Sequence, residues 1–202
     1  KWSLSLFKLM DKNLIIVILY SYLLGSVPFG LILTKIFLKK DIRNVGSGNI
    51  GTTNVLRTGK KFLAGVTLLL DLLKGYISVY LTLLYFENLI VYSALICCIG
   101  HIFPIWLKFR GGKGVATYLG VILALSINFF FIFGLSWIIL SFLSRYASLS
   151  SMVSSLVVFL YAYFYENNSL SMMFFIFFLI ILYTHRENII RLKNSKENKI
   201  KL

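Results

Sequence analysis

Apolar residues fall in long runs, and polar residues collect in the short gaps between them. The runs cover Leu14 to Leu38, Phe62 to Tyr85, Leu89 to Leu107, Val115 to Asn128, Phe129 to Ser144, Ala147 to Tyr165 and Leu170 to Thr184. A helix rising ~1.5 Å per residue needs roughly 20 apolar residues to cross a bilayer's hydrocarbon core, so each run is read as a membrane helix. The fourth and fifth runs are short and nearly continuous, and form either two spans or one with a bent end. Charge placement decides between them. With seven spans, the segments Lys39 to Lys61 and Lys108 to Lys113, Arg145 and the basic tail after Thr184 share one side. The other side holds Glu87 and Glu166, with basic residues only near the N-terminus. Merging the two runs would place the tail opposite the basic loops. The positive-inside rule therefore favours an all-α integral membrane protein with seven transmembrane helices, N-terminus out and C-terminus in, and a tight external turn at Asn128.

Composition agrees with this class. Hydrophobic residues make up 58% of the 202 positions and charged residues only 14%, against about 25% charged in soluble domains. The 21 Lys and Arg against 7 Asp and Glu would point to nucleic acid in a soluble protein. Here they lie between membrane runs, where they set topology and attract anionic lipid heads, and no nucleic-acid partner is expected. Cys97 and Cys98 are neighbours in an apolar run, which gives neither a disulfide framework nor a metal spacing. Met10 directly before an apolar run resembles a natural start, so residues 1–9 are read as an upstream segment and 10–202 as a single polytopic membrane domain.

Three polar clusters fall on the basic side. The first, GSGNIGTTNVLR, fits G-x-G-x-x-G, but it follows a membrane helix rather than a strand, so the dinucleotide reading fails on context. What survives is the chemistry: glycines at 46, 48 and 51 let backbone N–H groups converge on an anion, Ser47, Asn49, Thr52, Thr53 and Asn54 add short polar groups, and Arg57 adds a permanent charge. A plain solvated turn is the competing reading. The second, GHIFPIWLKFRGGKGVAT, joins Arg110 and Lys113 to a glycine loop ahead of a helix N-terminus, a place that favours anions. It also holds His101, either a base or a bond to a neighbouring helix. In the third, HRENIIRLKNSKE, His185, Asn188 and Arg191 share a flank at i, i+3 and i+6; a basic tail lying on anionic lipid is its alternative. Asp71 and Lys74 lie inside the second span. They are either a neutral pair locking the bundle or a support for the first loop.

Taken together, SGNIGTTNVLR, GHIFPIWLKFRGGKGVAT and HRENIIRL resemble the three motif regions of the bacterial acyl-phosphate:glycerol-3-phosphate acyltransferases, the PlsY family; GSVPFGLILTK and LDLLKG are similar too. The resemblance implies seven membrane helices in the bacterial inner membrane with the motifs on the cytoplasmic face. It further implies transfer of a fatty acyl group from acyl phosphate to the 1-hydroxyl of glycerol 3-phosphate, giving lysophosphatidic acid and phosphate in the first acylation of phospholipid synthesis. Carried over, Ser47, Gly48, Asn49, Gly51, Thr53, Asn54 and Arg57 form the first motif's anion loop, His101, Gly111, Gly112, Lys113 and Thr117 belong to the second motif, and His185, Asn188 and Arg191 to the third. His101, Asn49, Lys113 and His185 are the expected catalytic residues, and the others bind substrate. Ser195 stands where the family pattern has glycine.

The chemistry is consistent with these residues. An acyl phosphate is a mixed anhydride with a good leaving group, so the acceptor hydroxyl can attack without an enzyme nucleophile, and positioning plus charge stabilisation supply the acceleration. His101, His185 or a substrate phosphate oxygen takes the proton. The favoured reading is the substrate oxygen, with His101 orienting. No cofactor and no metal are expected. The partners are acyl phosphate, glycerol 3-phosphate and membrane lipids, and the protein is expected to be a monomer. The H-x-x-x-x-D pattern of other glycerol phosphate acyltransferases is absent, since Trp106 and Ile190 follow the two histidines five positions on. A membrane anion or phosphate-ester transporter is the alternative, though it should carry paired repeats.

Overall fold

The computed structural model describes residues 12–200, so the segment 1–9 and Met10 lie outside the described residues. All regular structure among the described residues is helical. Helices α1 (Lys12–Ser26) and α2 (Phe29–Leu38) are two parts of one apolar stretch. Pro28 separates them because its ring nitrogen cannot donate to a helical ladder. The Val27 carbonyl turns aside there and accepts from the Phe29 N–H at 3.2 Å and from Lys74 Nζ at 2.9 Å. The short α3 (Thr52–Leu56) leads to α4 (Lys61–Tyr85). It is followed by α5 (Ile90–Ile102), α6 (Val115–Leu125), α7 (Ile127–Ser144), α8 (Ala147–Tyr165), α9 (Asn168–Thr184) and α10 (Arg186–Lys193). Among the described residues, five stretches are long and apolar enough to cross a membrane, and a sixth is added if α9 and α10, bent by 59°, count together. With 11 residues, α6 falls short of that length.

Two boundaries differ from the apolar pattern. The third run stays apolar to Leu107, yet α5 stops at Ile102 and Ile105–Leu107 is a separate tight turn. Pro104 causes this by disfavouring helical backbone at the residue before it. The break between the fourth and fifth runs falls at Ser126 rather than Asn128. Ser126 is extended, with φ −163° and ψ 135°, and its Oγ accepts from the Asn128 N–H at 3.2 Å. Tyr118 and Phe133 are 15 positions apart, about 22 Å along a continuous helix. Their rings lie 5.6 Å apart. The chain therefore folds back at Ser126, and α6 and α7 form a hairpin.

Aromatic rings fill the core beside that hairpin. Tyr118 packs against Phe177 at 4.9 Å, and Phe129 against Phe174 at 4.6 Å. Elsewhere the backbones themselves meet. Gly120 lies against the Leu72 carbonyl and Gly75 against the Thr117 carbonyl, so α4 and α6 touch with no space for a Cβ. Close approach of this kind replaces hydrophobic sorting where lipid is the solvent. Hydroxyls join α1, α4 and α5 below it: Ser21 donates to Ser93 at 3.0 Å, Ser93 lies 2.9 Å from Ser78, and Tyr20 meets Thr82. The outer faces carry exposed Phe62, Phe142, Leu143 and Phe164, as a surface bathed in hydrocarbon requires.

Replacing Gly120 with Leu should force α6 off α4 and destabilise the protein by about 1–3 kcal/mol, the range for overpacked sites. Thermal unfolding in detergent checks this, and an unchanged midpoint would refute the close contact.

Candidate functional site

The first cluster forms a rigid loop around α3. Gly46 and Gly48 have φ +57° and +71°, the left-handed region that glycine enters without steric cost. Asn54, buried on α3, holds the loop from inside. Its Nδ2 donates to the carbonyls of Ile42 at 3.1 Å, Val45 at 2.8 Å and Asn49 at 2.7 Å, and its Oδ1 accepts from the Ser47 N–H at 3.0 Å. Asn49 Oδ1 accepts from the Gly51 N–H at 2.8 Å. The polar atoms of Asn54 and the Asn49 carbonyl oxygen thus bind the loop itself. Ser47, Gly48 and Thr53 remain exposed. Arg57 lies over Gly46, where an added Cβ would meet Asn54 Oδ1 and Arg57 Cδ.

The second cluster rests on a buried charge centre. Gly111 N–H donates to the Ile102 carbonyl at 2.9 Å and Gly112 N–H to the His101 carbonyl at 3.1 Å, which folds the loop back over the end of α5. His101 Nε2 occupies the place a Cβ would need at Gly112. The ring is only 4% exposed. Lys74 Nζ sits 2.8 Å from His101 Nδ1, 2.7 Å from Asp71 Oδ1 and 2.9 Å from the Val27 carbonyl. An ammonium can only donate, so Nδ1 accepts and the ring proton rests on Nε2. His101 in this tautomer is a donor, not a base. The Asp71–Lys74 pair, expected either to lock the bundle or to serve the first loop, supports the second loop through His101. Lys74 lies 13 positions beyond Lys61, about 20 Å along α4, so the buried charge pair sits well inside that helix. Thr117 is fully buried with its carbonyl against Gly75; it belongs to the helix contact beneath the loop. Arg110 is exposed.

The third cluster joins the second. His185 sits at the bend between α9 and α10, and its Nδ1 lies 2.8 Å from the Ile181 carbonyl. A carbonyl only accepts, so Nδ1 carries the proton and Nε2 keeps its lone pair. The two histidines therefore hold opposite tautomers. Lys113 Nζ donates to Asn188 Oδ1, and Thr184 Oγ1 donates to the Lys113 carbonyl at 3.1 Å. Glu197 closes the set. It accepts from Asn188 Nδ2 at 2.6 Å, Arg191 Nε at 2.7 Å and Ser148 Oγ at 2.9 Å. The tail carrying it is pinned by the Ile200 N–H to the Arg145 carbonyl at 2.7 Å. Ser195, at the position where glycine was expected, has φ +54°, which is why glycine suits that turn.

Glu197, Ser148 and Thr184 were not among the expected site residues. Only Glu197 carries a sequence signal, as an acid within a basic tail.

Electrostatics bring the three clusters together. Burial pushes the Lys113 ammonium down to about 8, with Arg191 and Arg57 pressing the same way against Glu197 and Glu187. Burial would raise the Glu197 carboxyl, but the bonds from Arg191, Asn188 and Ser148 hold it below the usual range. Arg57, Lys113 and Arg191 thus outnumber the two acids beside them, Glu197 and the exposed Glu187, leaving room for more negative charge. An apolar cavity of about 260 Å³ opens between α5 and α9, lined by Ile99, Ile102, Phe103, Ile176 and Leu179, and it ends at Thr184 beside this polar set.

Comparison with known proteins follows this geometry. Residues 15–195 match the family model described as glycerol-3-phosphate acyltransferase. A glycerol-3-phosphate acyltransferase of Pelagibacter ubique is 53% identical, covering 93% of this chain and 98% of that protein. One from Brucella ovis is 47% identical over 94% of each. Among solved structures, the glycerol 3-phosphate form of PlsY, an integral membrane glycerol 3-phosphate acyltransferase, superposes with a TM-score of 0.89 at 34% identity, covering 94% of this chain and 96% of that one. Its lysophosphatidic acid form gives 0.87 at 33% identity.

Lys74→Met should leave the Asp71 carboxylate buried and unpaired, a loss of about 3–5 kcal/mol. Adding Asp71→Asn should restore part of it, as read by chemical unfolding in detergent. Equal stability of the single variant and the parent would remove the buried pair from the account.

Proposed function

Since the chain belongs to the glycerol-3-phosphate acyltransferase family, we propose that it moves a fatty acyl group from an acyl phosphate to the 1-hydroxyl of glycerol 3-phosphate, releasing phosphate and lysophosphatidic acid. The observation that carries this reading is the apolar cavity ending at Thr184, whose hydroxyl bonds the backbone of Lys113. An acyl chain in that cavity would deliver its carbonyl beside Lys113, Asn188 and Arg191. Two phosphorylated substrates need two cationic seats, and Arg57 over the glycine loop and Lys113 with Arg191 supply them.

The step itself asks little covalent chemistry of the protein. The acceptor hydroxyl oxygen attacks the acyl carbonyl carbon, the bond from that carbon to the phosphate oxygen breaks, and phosphate leaves with the electron pair. Lys113 and Arg57 stabilise the developing charge. The hydroxyl proton passes to a substrate phosphate oxygen or to His185 Nε2, which keeps its lone pair; His101, with its proton on Nε2, orients the loop. Asn49, with Asn54, fixes the shape of the first loop, and the Ser47 and Thr53 hydroxyls stand on its exposed side, carried by the turns at Gly48 and Gly51. Gly111 and Gly112, whose N–H groups bond the Ile102 and His101 carbonyls, fold the chain back so that Lys113 is presented.

Seven membrane segments, N-terminus out and C-terminus in, go with this reading. The reversal at Ser126 supports counting α6 and α7 separately, which leaves the basic loops and the site on one side, the cytoplasmic face of a bacterial inner membrane.

The test uses purified protein in lipid with palmitoyl phosphate and glycerol 3-phosphate and no other acyl donor. Phosphate and lysophosphatidic acid should form together, and Arg57→Ala should abolish both while the protein still inserts. No product from folded parent protein would leave anion binding without transfer.

Turnover per encounter with glycerol 3-phosphate, kcat/KM, should fall as pH rises through about 8, where Lys113 loses its charge. Lys113→Arg keeps its charge to far higher pH, so the alkaline limb should move up. A limb still at about 8 in the Arg variant would assign it to another group.

A further inference from the structure

A second pocket, of about 530 Å³, has Arg57 in its wall and shares no lining residue with the cavity between α5 and α9. Phe37, Leu38 and Val45 form its apolar side, and Lys40, Arg57 and Lys60 its cationic side. The side chains of Lys40 and Lys60 make no ion pair among the described residues. The nearby acid Asp41 is bound by Arg43 at 2.6 Å, so the positive charge of the pocket is unanswered. Its position is set by the fold. Leu38 ends one membrane stretch and Lys61 begins the next, which places the pocket where two helices leave the hydrocarbon. Phe37 and Phe62, 67% and 84% exposed, face the lipid on either side.

We propose that this pocket holds the phosphate of an anionic membrane phospholipid, with Lys40 and Lys60 on the phosphate and the acyl chain along Phe37 and Leu38. Basic pockets between membrane helices suit such headgroups, because the field of the cations is strongest at headgroup depth and an apolar wall receives the chain. Arg57 is the wall shared with the glycine loop. A lipid phosphate in the pocket would therefore set the position of that guanidinium from behind. The pocket shares Arg57 with the proposed transfer site, and binding at Lys40 and Lys60 is read without turnover.

The experiment titrates phosphatidylglycerol, with phosphatidylcholine as control, into the full-length protein in detergent and counts bound lipid by native mass spectrometry. Lys40→Gln with Lys60→Gln should weaken phosphatidylglycerol binding about thirtyfold, from the attraction each surface cation contributes. Lys40→Arg with Lys60→Arg should retain it, which separates charge from folding. In phosphatidylcholine nanodiscs the Gln variant should keep the parent's KM for palmitoyl phosphate. Unchanged phosphatidylglycerol binding in the Gln variant would overturn the proposal. So would a raised KM for palmitoyl phosphate in the neutral bilayer, which would show the pocket to be the acyl donor's own seat.

Discussion

One buried ammonium organises the loop-bearing end of this bundle. Lys74 sits 3% exposed, well inside a membrane helix, where a lone charge costs several kcal/mol. It is tolerable because the Asp71 carboxylate pairs with its charge at 2.7 Å while His101 Nδ1 and the Val27 carbonyl accept two of its protons. Each acceptor comes from a different structural problem. Asp71 belongs to the same helix, Val27 is the carbonyl turned aside by Pro28, and His101 ends α5 under the RGGKG loop. The ammonium thus joins a kink, a helix and a loop in one contact. Its fixed hydrogen bonding also determines which nitrogen of His101 carries the proton.

The anion site built above this centre has two parts of different character. The loop around α3 is closed on itself by Asn54 and Asn49, so its shape is set before any ligand arrives. The Lys113, Asn188 and Arg191 set is arranged around Glu197, a carboxylate brought in by the tail. With Arg57 counted, three cations stand against Glu197 and the exposed Glu187, so the set is held without being neutralised. Preorganisation of this sort lowers the ordering cost when a doubly charged phosphate binds.

Much of the architecture was legible in the chain. Apolar runs marked the membrane helices, and glycine and cations marked the loops, because in lipid the backbone has few alternatives to helix. Boundaries were read less well where a single residue decided them. Pro104 ended α5 inside an apolar stretch, and Ser126 reversed the chain where Asn128 had seemed the better turn. The contacts of the candidate site residues were less legible than their places in the chain. An asparagine suited to binding phosphate is equally suited to binding carbonyls, and only the fold shows that Asn54 does the latter. Ser148 could not be found, since its bond to Glu197 spans 49 positions and leaves no local pattern.

The strap that carries Glu197 has a consequence for biosynthesis. Proteins are made from the N-terminus, and Asn188, Arg191 and Glu197 are among the last described residues to emerge. A nascent chain can insert and pack α1 to α9 while the second half of its anion site does not yet exist. Lys113 and Asn188, 75 positions apart, can therefore meet only after α6 to α9 have been made and packed.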